Sequence, residues 1–153
     1  MKRLYLCSVL ILVVLVGGCA TVPMASPSLD VEAKKFMPES GMANIYILRE
    51  VALGGGKILF QLTLDGRMVG SLAPLTYHLL SVKPGEHTIS VVNVENPEEA
   101  QATLTAEQGK NYFYKVSGRI GWSKPRAYIK SIGEEEGREL ISDSKRAHTY
   151  IYK

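Results

Sequence analysis

From Gly41 onward the chain alternates apolar and polar positions with a period of two, and the alternation is broken repeatedly by glycine, proline and asparagine. That rhythm predicts short β-strands separated by turns. Residues 43–49 read as a strand rich in β-branched and aromatic side chains. Residues 59–64 and 68–72 flank Asp65-Gly66, a pair that tolerates positive φ at both central positions of a hairpin turn. Strands follow over 77–82 and 87–94, joined through Lys83-Pro84-Gly85-Glu86, where proline then glycine fits a type II turn. Further strands are predicted over 100–105, 111–120 and 126–132. Along 111–120, Tyr112, Tyr114 and Val116 share one face and Phe113, Lys115 and Ser117 the other, so both faces are expected to be partly covered. A short C-terminal helix is expected over 134–146, with acids in its first turn and Lys145 and Arg146 in its last. About seven or eight short strands with frequent turns and no βαβ alternation favour a mainly β fold, an antiparallel β-sandwich.

The N-terminal pattern is different. Lys2 and Arg3 precede an apolar run over 4–16, broken only by Cys7 and Ser8, and the run closes on Val16-Gly17-Gly18-Cys19. Thirteen residues are too few for a spanning helix, which needs about 20, and Gly17-Gly18 continues a helix poorly. The layout is that of a secretory leader, and the cysteine directly after the small residues resembles the lipobox of bacterial lipoproteins. The resemblance implies that residues 1–18 are removed and that Cys19 carries a diacylglyceryl thioether and an acylated amino group, with palmitate-type chains. Ala20, in place of the aspartate that commonly retains such proteins at the inner membrane, implies the outer membrane, with the globular part facing the periplasm. Residues 19–37, with Pro23, Pro27, Ser26 and Ser28, read as a lipidated N-terminus and flexible tether that would reach about 50–60 Å if extended. Residues 38–153 are then the β-sandwich domain with its C-terminal tail.

Composition changes the picture in two ways. Loss of Lys2 and Arg3 with the leader leaves 16 cations against 15 acids, so the basic pI of the precursor is no nucleic-acid footprint. Cys7 departs with the leader and Cys19 is consumed by lipid, which leaves no thiol for a disulfide, a metal site or a nucleophile. Packing alone must hold the domain. The expected partners are the membrane, through the lipid, and envelope proteins or peptidoglycan.

The residue types for catalysis are sparse. His78 and His87 could face each other across neighbouring strands, but two histidines fall short of the three or four convergent ligands of a metal site, so no metal or other cofactor is expected. Gly54-Gly55-Gly56-Lys57 lacks the leading glycine and following hydroxyl of a phosphate loop, having Val51 and Ile58 there. No Gly-x-Ser-x-Gly turn occurs, and Glu95, Glu98, Glu99 and Glu134–136 lie in runs typical of solvated loops or a helix start. Among the aromatics Tyr46, Tyr112, Phe113, Tyr114, Trp122 and Tyr128, Trp122 stands out because it sits in a Gly-Trp-Ser-Lys-Pro loop. It reads either as a ligand-binding residue or as a lid over the end of a sheet.

Several fragments in order resemble a family of bacterial lipoproteins whose domain is described only as being of unknown function. They are Lys35-Phe36 with Pro38, Gly41, Ala43-Asn44-Ile45-Tyr46-Ile47 with Arg49, Leu64-Asp65-Gly66 with Val69-Gly70, Pro84-Gly85 with His87, and Gly109-Lys110-Asn111-Tyr112-Phe113-Tyr114. Residues 64–92 are also similar to the surface β-domains named for a Pro-Glu-Gly-Ala motif, although Pro84-Gly85-Glu86-His87 departs from that motif. These resemblances imply location and fold and no catalytic activity. The expected function is therefore a non-enzymatic interaction or assembly module of the envelope. A carbohydrate- or peptidoglycan-binding module using Trp122 is the alternative, and a hydrolase comes third.

Overall fold

The computed structural model describes residues 22–50 and 58–150. Cys19, the leader and the glycine run at 54–56 lie outside the described residues. Nine strands and two helices are described: α1 (Pro27–Ala33), β1 (Ala43–Arg49), β2 (Phe60–Leu64), β3 (Arg67–Leu72), β4 (Thr76–Val82), β5 (Gly85–Val92), β6 (Gln101–Ala106), β7 (Asn111–Arg119), β8 (Arg126–Ile132), α2 (Glu134–Ser142) and β9 (Lys145–Arg146). The strands form a five-stranded sheet of order β8-β7-β1-β4-β9 and a four-stranded sheet of order β3-β2-β5-β6. The mainly β sandwich is thus confirmed, with a short C-terminal helix. Pairing is mostly antiparallel, but β1–β7 and β4–β9 are parallel, so the sandwich is mixed and not purely antiparallel.

The two sheets close on Ile45, Ile47, Phe60, Leu62, Leu72, Ile89, Val91 and Val116, all essentially without solvent contact. Each such side chain contributes about 1.5–3 kcal/mol on burial. The hairpin at Asp65-Gly66 forms as expected, with φ of 51° and 77° at its two central residues. The link through Lys83 and Pro84 joins two strands in different sheets, so it is a corner between layers and not a hairpin. Consequently His78 on β4 and His87 on β5 do not face each other across neighbouring strands.

β1 is buried along its whole length. Its Tyr46 and Leu48 point away from the other sheet and are covered, with Tyr77 and Phe113, by α1, Phe36 and α2. Tyr46 stacks on Phe113 at 5.1 Å between centroids, and Gly137 of α2 lies where a Cβ would come within 2.4 Å of the Phe113 ring. Both faces of β7 are covered, as its alternation predicts.

Residues 22–37, expected to be a flexible tether, are packed from Val22 onward. The prolines and serines that suggest a linker are a helix start instead: Ser26 is the N-cap of α1 and its hydroxyl accepts from the Leu29 amide, while Pro27 takes the first helical position. Asp30 fastens the helix. Its carboxylate accepts from the Tyr77 hydroxyl at 2.7 Å and the Arg146 amide at 2.9 Å, and it pairs with Lys34 at 2.9 Å. Upstream, the Ala25 amide donates to Arg146 and Met24 bridges to Ala147.

The expected helix over 134–146 is shorter. α2 stops at Ser142, the Ser144 hydroxyl donates to the Leu140 carbonyl, and Lys145–Arg146 join β4 as a parallel edge strand. The open edge of β4 provides ladder partners for these two residues that continued helix would leave unused.

Asp30→Ala should cost about 1–2 kcal/mol, the value of charge-assisted hydrogen bonds at a partly solvated carboxylate. Urea unfolding followed by circular dichroism measures this, and exchange at the Arg146 amide should quicken in the variant.

Candidate functional site

The loop between β7 and β8 is built around a carboxylate. Arg119 and Arg126 are the last paired residues of the two strands, and Glu95, just beyond β5, reaches under the connecting turn. The Glu95 carboxylate accepts from the Ser123 amide at 2.5 Å and the Lys124 amide at 3.2 Å, and its own amide donates to the Pro125 carbonyl at 3.1 Å. These amide hydrogen bonds pull the Glu95 carboxyl down to about 2. Asn96 completes the fastening, since its side chain donates to the Ala127 carbonyl and accepts from the Ala127 amide. Gly121 is required by space: an added Cβ would lie 2.0 Å from the Lys124 carbonyl oxygen and 2.4 Å from a Glu95 oxygen.

This pedestal presents Trp122 fully exposed, with Ile120 beside it 77% exposed. The lid reading of Trp122 is therefore corrected, because the indole covers no sheet end. A shallow hollow of about 320 Å³ lies at its base, lined by Ile58, Ile120 and the turn. The other aromatics form no platform with it. Tyr46, Phe113 and Tyr114 are buried, Tyr112 is tied to Glu107 and Thr105, and Tyr128 lies beneath the Arg119 guanidinium. Lys124 and Arg119 are exposed beside the loop, and Arg126 pairs with Glu99 at 3.6 Å.

His78 and His87 are occupied structurally. His78 is fully buried between the Ser71 carbonyl at 3.0 Å and the Thr149 hydroxyl at 3.1 Å, and burial pushes its pKa down. One acceptor and one hydroxyl suit a neutral ring that donates to Ser71 and accepts from Thr149. His87 has only acceptors, the Asp65 carboxylate at 2.7 Å and the Lys83 carbonyl at 2.8 Å. Two acceptors are both satisfied only by a ring with two N–H groups, so this setting favours the imidazolium. Partial burial lowers its pKa, but these two hydrogen bonds outweigh it and the net shift is upward. Asp65 also accepts from the Thr88 amide, which clips the β2–β3 hairpin to β5. Among the described residues no cluster of three histidine, cysteine or acidic side chains could hold a metal ion.

A second concavity of about 460 Å³ opens between β3 and β4, where the sheets part, lined by Leu64, Arg67, Met68, Leu80, Thr149 and Tyr150. Sequence reasoning missed it, as it missed the role of Glu95. Both depend on contacts between distant segments, and no local motif encodes them.

Residues 39–127 match the family described as "Protein of unknown function (DUF2846)". A protein of Haemophilus influenzae (strain Rd), described as uncharacterised, is 33% identical over 136 residues, covering 88% of this chain and 79% of the relative. The chain belongs to this family of proteins of unknown function. The matched segment includes β1 through β7 and the Trp122 loop. No solved structure matches the chain significantly.

Gly121→Ala should release the Trp122 loop while leaving the sandwich folded, with exchange at the Ser123 and Lys124 amides accelerating by about tenfold or more. Nuclear magnetic resonance reads both outcomes together. In the same spectra His87 should titrate above the ordinary 6.5. The stability it adds is complete below that ordinary value and is lost as pH rises through the folded-state value. His87→Ala should flatten that part of the stability profile.

Proposed function

We propose that this chain is an outer-membrane lipoprotein facing the periplasm, anchored through Cys19, whose β-sandwich is a non-enzymatic interaction or assembly module of the envelope. The observation that carries this reading is the ordered leader: Lys2-Arg3, the apolar run over 4–16, then Val16-Gly17-Gly18-Cys19 and Ala20. Among the described residues no helix is long and apolar enough to cross a membrane. Three acyl chains on one cysteine would hold the protein far more firmly than the marginal binding of a single myristoyl chain. The similarity of the β2–β3 hairpin region to Pro-Glu-Gly-Ala surface domains supports an envelope setting in the same way.

The module reading draws support from where the polar groups are spent. Glu95 holds a loop, Asp30 a helix and Asp65 a hairpin, and His78 and His87 are engaged by backbone carbonyls and neighbouring side chains. A second reading, a glycan-binding module, is favoured by one observation, the fully exposed indole of Trp122 on a fastened loop. Binding to peptidoglycan fragments that disappears in Trp122→Ala would select it.

Cys19→Ala should abolish fatty-acid labelling and release the protein from the membrane fraction, and globomycin should leave the leader uncleaved. Intact mass of the mature protein checks the first result directly. An unmodified amino terminus in the soluble fraction would refute the anchor.

A further inference from the structure

We infer that the margin of the sandwich formed by residues 22–33 and β9 rests on the bilayer that holds Cys19, with Met24, Leu29 and Val31 in its interface. The inference builds on the lipid anchor proposed above and adds a second membrane contact.

The first argument is reach. Val22 is buried, and only Ala20 and Thr21 stand between it and Cys19. A chain advances at most 3.3–3.6 Å per residue, so the Cα atoms of Cys19 and Val22 are no more than about 11 Å apart. The headgroup layer of one leaflet is itself about 5–7 Å thick. With the thioether in lipid, the surface around Val22 is therefore held at the headgroups. The leash of about 50–60 Å that residues 19–37 would supply if unpacked is lost, because Asp30, Ala25 and Met24 dock that segment onto the β9 edge.

The second argument is placement. The Pro23 carbonyl accepts from the His148 amide, Met24 bridges antiparallel to Ala147, and the Ala25 amide donates to Arg146. These residues extend the five-stranded sheet beyond β9. Because β9 is parallel to β4, the chain from Ala25 back to Val22 follows the direction of β4 along that margin. α1 continues from the same residues, and its Leu29 carbonyl accepts from the Arg146 guanidinium. The lead-in and α1 are thus fastened to one margin. β8 lies at the other, four strand spacings from β9, or about 19 Å.

The third argument is chemistry. Of the nine large apolar side chains exposed among the described residues, Met24, Leu29, Val31 and Met37 fall in this one short segment. α1 buries Ala33 and engages Asp30 with Tyr77, yet it leaves Leu29 and Val31 at half exposure or more. Lys34 pairs with Asp30 and Lys35 with Glu32. Lys145 and Arg146 form no ion pair among the described residues, and Asp143 is an exposed acid beside them. The balance is positive and suits anionic headgroups. Three apolar side chains bind a bilayer weakly by themselves. Anchorage makes the second contact intramolecular, so a weak contact suffices.

The mature chain has no free thiol once Cys19 is lipidated, so one introduced cysteine is a unique labelling site. Leu29→Cys, Val31→Cys and, on β8, the exposed Lys130→Cys are each labelled with a nitrobenzoxadiazole dye. The lipidated proteins are reconstituted into vesicles of phosphatidylethanolamine and phosphatidylglycerol, with and without nitroxide-bearing lipid. The dyes at Leu29→Cys and Val31→Cys should shift to the blue and lose about half their emission to the nitroxide, as suits an interfacial position. The dye at Lys130→Cys should stay aqueous. Adding Leu29→Glu to the Val31→Cys protein should leave flotation unchanged and remove most of that quenching. Protein that floats and carries the lipid mass, yet has all three dyes unquenched, would overturn this inference and leave the anchor standing. Equal quenching at all three positions would overturn it as well, since no margin is then preferred. Protein without lipid mass that fails to float would sink both. Dye burial at Leu29→Cys and Val31→Cys that grows with protein density in the vesicles, without nitroxide quenching, would assign the margin to a second copy and likewise overturn it.

Discussion

β1 is buried on both of its faces, and the rest of the architecture follows from that demand. Ala43, Ile45 and Ile47 are satisfied by the second sheet, but Tyr46 and Leu48 need a second cover on the opposite side. A sandwich of two sheets has no element to spare for it. The cover comes from the two helices and Phe36, recruited from the segments before and after the strands. Burying a tyrosine requires a partner for its hydroxyl. Tyr46 donates to the Ala33 carbonyl at 2.7 Å and Tyr77 to Asp30, so the apolar cover and its polar fastening are one arrangement. Burial pushes the Tyr46 hydroxyl up to about 12, which keeps it protonated and donating across the physiological range. Asp30 is pushed up by burial, yet hydrogen bonds from Lys34, Tyr77 and the Arg146 amide outweigh this and hold it below the usual aspartate value. The network therefore keeps both protonation states it needs at neutral pH.

Much of this was legible in the residues, and the misreadings have physical causes. Period-two alternation identified nearly every strand because burial on a sheet face repeats every second residue. Asp65-Gly66 identified its hairpin because few other pairs accept two positive φ angles. The sheet assignment of those strands was not legible, since alternation reports a buried face without naming what buries it. Hence the mistaken juxtaposition of His78 and His87. Pro27 and Ser26 misled because the same residues open helices and populate linkers, and only the docking partner decides between them. Lys145 and Arg146 looked like a helix end by charge, while the unpaired β4 edge offered them a ladder. Trp122 was legible as an exception but its support was not: Glu95 lies 27 positions earlier and carries no motif.

Docking of the N-terminal segment also changes what an anchor at Cys19 can do. A lipid on a long disordered leash would confine a domain to a volume without orienting it, and every surface would meet the bilayer in turn. Packing from Val22 onward would remove that freedom, because a lipid at Cys19 would pull on a fixed point of the folded domain. The turn under Trp122 is rigid for a related reason. A carboxylate bonded to two successive amides and a glycine with no room for a Cβ hold the loop in a single shape. Ordering an exposed apolar loop in advance lowers the entropy lost when it meets a surface.

Strand direction separates the two concavities. The hollow at the base of Trp122 lies at the end that carries the β7–β8 turn. The β2–β3 turn at Asp65-Gly66 and the β4–β5 corner at Lys83 lie at the opposite end, because β2 and β4 both begin at the Trp122 end and run away from it. The concavity lined by Leu64, Arg67, Met68, Leu80, Thr149 and Tyr150 borders this far end. Its rim includes Asp65, whose hydrogen bonds with the His87 ring and the Thr88 amide fix the turn beside it. A partner at this end would meet a firm rim with mixed apolar and cationic walls. The sandwich thus carries its two concavities at opposite ends, each beside a turn that a carboxylate holds in place.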